Sequence, residues 1–217
     1  MFVDIHTHHN SESEYSSIRN LTFQEAENIF NSNKNGCFSV GFHPWFVNEF
    51  NHEMLSKLEN WTADSRLVAI GECGLDKNSN TDLNIQIDIF KKQISLSERA
   101  QLPIIIHCVG CFNELFELKK QLNPQQLWII HGFRGKPELA VQILKAGCSI
   151  SFGEHFNIES VSFTPIEKLF VETDESQLSI KEIYNQIAEI KNINPYELTA
   201  GELFYKKITS KISKHKT

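Results

Sequence analysis

The sequence has no run approaching the roughly 18 consecutive apolar residues that a membrane-spanning helix needs. Its first residues, MFVDIHTHHN, also lack a basic segment followed by a long apolar stretch, so the expectation is a cytoplasmic protein with no membrane role. Repeats, Pro-rich tracts and low-complexity segments are missing too. With 217 residues, 41% of them apolar and 22% charged, the chain is expected to fold around a large core. It has no excess of positive charge: the formal balance is −6, which excludes a grip on duplex DNA through a broad basic surface. A nucleic-acid enzyme stays open, because bound divalent cations reverse the local field and a few arginines suffice to meet a phosphate. Nor is there an even set of cysteines. Cys37, Cys73, Cys108, Cys111 and Cys148 are scattered through apolar stretches and fit reduced, buried thiols rather than a disulfide framework. Cys108 and Cys111 form a lone C-x-x-C, for which redox and metal-binding roles are both open.

What is present is an alternation of short apolar runs and amphipathic ones. Strand candidates are 2–8, a weak 16–21, 37–43, 67–73, 103–108, 127–132, 148–153 and 169–174. Most are continuously apolar, as expected of parallel strands covered on both faces. Thr22 and Glu25 make a capping box before FQEAENIF. Residues 84–101 carry helical spacing through Ile87, Phe90, Ile94 and Leu96, and Gly147 closes the helix PELAVQILKA. Asn194, Pro195 and Glu197 are the start signals of the last helix. Repeated βα units with eight strand candidates predict an α/β fold of the TIM-type (β/α)8 barrel class; the poor second candidate and the 33 residues from His9 to Gly41, too few for a full unit, leave seven strands or a distorted barrel open. One domain is expected over 1–207, followed by a polar, basic tail over 208–217.

His6 and His8 stand two residues apart in an apolar strand candidate, so both imidazoles project from one face. Alone, H-x-H is weak. The remaining strand ends, however, carry His43, Glu72, His107, His131 and Asp174, each a possible metal ligand. In a parallel barrel these C-terminal ends converge on the mouth where active sites sit. Five histidines and two carboxylates exceed the three or so protein ligands of one catalytic ion, so two divalent ions are expected, with a carboxylate such as Glu72 able to bridge them. Such a pair activates a water and stabilises the attacking and leaving oxygens, which implies hydrolysis.

The motifs DIHTHH, GFHPW, GECGLD, PIIIHC, IIHGFRG, SISFG and VETD, taken in order and approximate spacing from Phe2 to about Lys206, resemble the TatD family of metal-dependent deoxyribonucleases, within the amidohydrolase-like barrel superfamily. The resemblance implies a TIM-type barrel and two ions of magnesium, manganese or zinc. Residue by residue, it implies that His6, His8, Glu72 and Asp174 surround one ion. Glu72 would bridge to a second ion, held also by His107 and His131. Asp174 would act as general base and His43 would face the substrate phosphate. The implied activity is a phosphodiesterase, a 3′-to-5′ exonuclease on single-stranded DNA, with no obligate protein partner.

Three departures touch the substrate rather than the metals. His9 and Asn10 stand where the family often has an aspartate, Val109 where it often has an arginine, and Arg134 where a serine is common. Arg134 is read as the replacement cation for a substrate phosphate. Trp45, where many relatives have histidine, is read as a stacking surface for a nucleobase. After Asp174 the chain reads ESQLS instead of a proline-rich continuation. Small phosphoesters therefore stand beside DNA as substrates. The alternatives are a metal-dependent amidohydrolase or lactonase acting on a small molecule, or a metal-binding scaffold without activity. No strand end carries the lysine common in amidohydrolases, and Glu72 occupies the bridging place, which favours the phosphoesterase.

Overall fold

The structure, a computed structural model, describes residues 1–10 and 15–214, with side chains through residue 210. Eight strands follow chain order in one sheet: β1 (Val3–Thr7), β2 (Ser16–Leu21), β3 (Cys37–Val40), β4 (Leu67–Asp76), β5 (Ile104–Val109), β6 (Trp128–Ile130), β7 (Ser149–Phe152) and β8 (Leu169–Val171). The helices are α1 (Phe23–Phe30), α2 (His52–Trp61), α3 (Leu83–Ala100), α4 (Phe112–Leu122), α5 (Pro137–Lys145), α6 (Ile158–Phe163), α7 (Ile180–Lys191) and α8 (Ala200–Lys214). No helix among the described residues is long and apolar enough to cross a membrane. The chain divides into two compact units, residues 1–19 with 129–217 and residues 20–128.

In the first unit β1 pairs in parallel with β2, and β6, β7 and β8 pair in series. An isolated bridge, Thr7 to Asp174, joins the end of β1 to the segment that follows β8. Ile5, Ile129, Ile150 and Val171 on these strands are buried, as are Ile143 of α5 and Ile183 and Ile187 of α7. The Tyr184 hydroxyl of α7 donates to the Val3 carbonyl at 3.1 Å, which fixes that helix along β1. The structure departs from expectation at the chain's last helix. The Asn194 capping box with Pro195 and Glu197 closes only a 3-10 turn, Pro195–Glu197, and α8 begins at Ala200. The helix then continues past residue 207, where the tail was expected to start, because Ile208 still faces the core. Residues 215–217 of that tail lie outside the described residues.

The second unit is built on the parallel strands β3, β4 and β5, of which β3 and β4 are buried throughout and β5 over its first half. The weak strand candidate at 16–21 is β2, and the eight-residue α1, opened by the expected Thr22–Glu25 box, is short enough to fit before β3. Arg66 closes α1 from outside the helix. Its guanidinium donates to the carbonyls of Ile29, Phe30, Ser32 and Lys34 while gripping both carboxylate oxygens of Asp64. Burial alone would raise the Asp64 pKa, but the bonds from Arg66 outweigh it and hold the carboxyl below its ordinary value. A depressed carboxyl stabilises above its ordinary pKa, and that contribution is lost as pH falls through the depressed one. Arg66→Ala is expected to cost about 2–3 kcal/mol, since several acceptors lose a charged donor together. The thermal midpoint should fall by roughly 5–10 °C, measured by calorimetry.

Candidate active site

The first unit gathers one cluster. His6 lies near the end of β1, fully buried, and His8 follows it with its ring one-third exposed. Nε2 of each lies 3.6 Å from Asp174 Oδ1. Asp174 adopts a left-handed backbone (φ 55°), unusual for a residue with a side chain. Two backbone bonds hold it there: its N–H donates to the His6 carbonyl at 2.9 Å, and its carbonyl accepts from His8 N at 3.1 Å. Beneath, the buried Asp4 carboxylate accepts from the Thr173 hydroxyl at 2.6 Å and the Thr173 N–H at 3.0 Å. Burial pushes the Asp4 carboxyl up to about 7, against the lowering effect of those bonds. His131 packs its ring 4.4 Å from that of His6, with Nδ1 3.4 Å from Glu172 Oε1. Glu172 is wholly buried and also accepts from Gly132 N at 2.5 Å. Desolvation would raise its pKa, but His131, together with His6 and Ser151, outweighs it and keeps the carboxyl below its usual range.

The second unit gathers another. His107 Nδ1 stands 2.9 Å from Glu72 Oε1 and its Nε2 2.9 Å from Asp76 Oδ2. His43 Nε2 is 3.3 Å from the same Glu72 oxygen, so this histidine joins the Glu72–His107 group rather than standing apart from it. Three side-chain amides, two of them buried, set the backbone beneath these groups. Asn20 Oδ1 accepts from Glu72 N at 2.7 Å. Gln86 of α3 accepts from Asp76 N at 2.8 Å, and Gln93 accepts from Phe42 N at 2.7 Å. Trp45, 56% exposed, donates its indole N–H to Asp76 Oδ2 at 2.7 Å. Burial would raise the Asp76 pKa, yet the bonds from His107, Asn78 and Trp45 depress it.

Ligand atoms of His6, His8 and Asp174 lie within 4.8 Å of one another, as do those of His43, Glu72 and His107. Imidazole nitrogens and carboxylate oxygens at that spacing suit zinc or manganese, and the carboxylates also suit magnesium. Two residues escaped the sequence reading, Asp76 and Glu172. Asp76 stands four residues from the expected ligand Glu72 on β4, a spacing that shares a strand face, whereas Glu172 lies beyond β8, two residues before Asp174, with no comparable signal. Arg134 is exposed and lines a cavity together with Asp174.

Comparison with known proteins identifies the chain. The family model described as TatD related DNase matches residues 16–201. The chain belongs to this family. As a TatD-family metal-dependent hydrolase, it is 31% identical over 185 residues to an uncharacterized metal-dependent hydrolase of Buchnera aphidicola, covering 75% of this chain and 69% of that one. It is 29% identical over 166 residues to the 3′-5′ ssDNA/RNA exonuclease TatD of Erwinia amylovora, covering 71% of this chain and 64% of that protein. The crystal structure of YjjV, a TatD homolog from Escherichia coli K12, matches with a TM-score of 0.81 at 18% identity, covering 95% of this chain and 96% of the other. The fold of the TatD-family chain is thus the expected TIM-type (β/α)8 barrel class, with parallel strands in chain order.

Proposed function

We propose that the chain is a divalent-metal-dependent phosphodiesterase that removes nucleotides from the 3′ end of single-stranded DNA. The observation that carries this reading is the pair of donor clusters, His6–His8–Asp174 and His43–Glu72–His107, each able to offer one ion three side chains at the ends of parallel strands. The name of the Erwinia relative supports the nucleic-acid part. Ions bound there supply a water acidified toward neutrality and charge neutralisation at the phosphoryl oxygens.

The chain's own residues do the rest. An Asp174 carboxylate oxygen takes the proton of the attacking water, with His6 and His8 fixing its direction. Glu72 orients His43 and His107 as donors, and His107 is turned further by Asp76. Arg134 holds non-bridging phosphate oxygens with its planar fork. Trp45, fixed through its indole N–H, presents a π-face to an unstacked base. Arg134→Ala is expected to raise KM for a phosphodiester about tenfold, the loss of one charge-assisted bond, with metal content unchanged by elemental analysis. An unchanged KM would remove Arg134 from the substrate.

The test uses protein stripped of metal and restored with magnesium, manganese or zinc, acting on 5′- and 3′-labelled single-stranded DNA and on the matching RNA. Stepwise loss from the 3′ end is the expected result. No cleavage of either polymer with both ions bound would overturn the nuclease reading and direct the search to small phosphoesters and to the carbonyl substrates of amidohydrolases.

A further inference from the structure

A cavity of about 360 Å³ opens beside Asp174 within the first unit, among the loops that follow β6, β7 and β8. Its size is at the low end of small-molecule pockets, roughly 300–1,000 Å³, which is room for one small molecule rather than a stretch of polymer. The wall is fixed by the protein itself. Ser176 N donates to the Thr173 carbonyl at 2.8 Å, the Ser176 carbonyl accepts from His9 Nε2 at 3.1 Å, and Leu178 N donates to Ser176 Oγ at 3.0 Å.

The polar groups of this wall divide by whether the protein already engages them. Among its acceptors, Glu154 accepts from Ser176 Oγ at 2.6 Å and Glu172 Oε1 from Gly132 N at 2.5 Å, Asp174 faces His6 and His8 at 3.6 Å, and Glu172 Oε2 is buried without a hydrogen bond. Glu175 is exposed at the rim. The donors are not taken. Arg134, His155 and Gln177 line the same cavity, are exposed, and make no hydrogen bond or ion pair with another described residue. Donors without a protein partner suit a ligand rich in acceptors, and an arginine fork fits a phosphate. Gln177 adds an amide with donor and acceptor side by side, the complement of the adenine edge at N6 and N7. It also lies in the ESQLS segment that follows Asp174.

We propose that this cavity is a subsite for a single nucleotide, with His155 joining Arg134 on the phosphate and Gln177 reading the base edge in favour of adenine. The proposal rests on the phosphodiesterase reading and deepens it. The phosphate oxygens supply the acceptors that Arg134 and His155 lack, and the cavity's volume limits recognition to the residue at a chain end.

The experiment is calorimetric titration of the full chain, stripped and metal-loaded, with deoxyadenosine 5′-monophosphate, deoxycytidine 5′-monophosphate, deoxyadenosine and inorganic phosphate. The monophosphates should bind more tightly than either the nucleoside or phosphate alone. His155→Ala should weaken the adenine nucleotide about tenfold, equivalent to about 1.4 kcal/mol, and leave deoxyadenosine unaffected. Gln177→Ala should remove the preference for adenine over cytosine and leave phosphate unaffected. Inorganic phosphate binding as tightly as the nucleotides, or both variants titrating like the parent chain, would overturn the subsite. Titration needs no turnover, so the two readings fail separately. A chain that cleaves DNA but binds nucleotides without regard to His155 and Gln177 loses the subsite alone. One that binds through them and cleaves no phosphodiester loses the nuclease reading alone.

Discussion

Asp174→Asn is expected to lower kcat for the phosphodiester about 10³-fold while leaving the fold intact, because it removes a proton acceptor without removing volume. The geometry makes asparagine the informative replacement. Residue 174 stands at φ 55°, a conformation that asparagine adopts readily, and both backbone bonds, to the His6 carbonyl and from His8 N, are kept. What goes is the negative charge 3.6 Å from both imidazoles. Asp174→Ala confuses matters by adding backbone strain at a positive φ, so thermal midpoints of both variants belong beside the rates. Metal content separates the two duties of the carboxylate. If Asp174→Asn retains its metal and loses kcat, the group moves a proton; if it loses metal in proportion to activity, the group is chiefly a ligand. Activity within tenfold of the parent would exclude both.

Much of this architecture was legible because parallel strands announce themselves. The runs VAIGEC and PIIIHC are continuously apolar, and their polar residues fall at the C-terminal ends, where the structure puts Glu72 and His107 side by side. The Thr22–Glu25 box was readable for the same reason of locality: three residues suffice to specify it. The Asn194 box has the same local signature but closes a 3-10 turn, since Leu198, at φ −75° and ψ 75°, leaves helical space before a second turn can form. Local capping marks a start and not a length. Asp76 was hidden by a different cause. The glycine before Leu75 reads as a strand ending, yet β4 continues through it to Asp76. His43 shows the limit of motif reasoning: its place in the chain marks it as polar and near a strand end, but only folding decides that it shares a carboxylate oxygen with His107.

Gly74→Ala is expected to be the most damaging single-atom change in the second unit, costing about 3 kcal/mol or more and emptying the His43–Glu72–His107 cluster of metal. Gly74 pairs with His107 across β4 and β5, and a Cβ there would stand 2.0 Å from the His107 carbonyl oxygen and 3.0 Å from its carbonyl carbon. No side-chain rotation relieves a clash with backbone, so β5 must move, and overpacking of this kind costs about 1–3 kcal/mol or more. The positive φ of 143° adds strain that only glycine escapes. The displaced residue is the one whose ring reaches Glu72 and Asp76 at 2.9 Å on its two sides, so the cluster and the fold are damaged through one contact. Gly147→Ala is the matched comparison. It shares a positive φ, 81°, but its Cβ would meet nothing within 4 Å, so it should cost only about 1 kcal/mol of backbone strain and leave metal binding intact. Denaturation midpoints and metal per folded chain measure both. Equal losses in the two variants would assign the effect to backbone strain alone and remove the close approach of β4 to His107 as the device that seats this half of the chemistry.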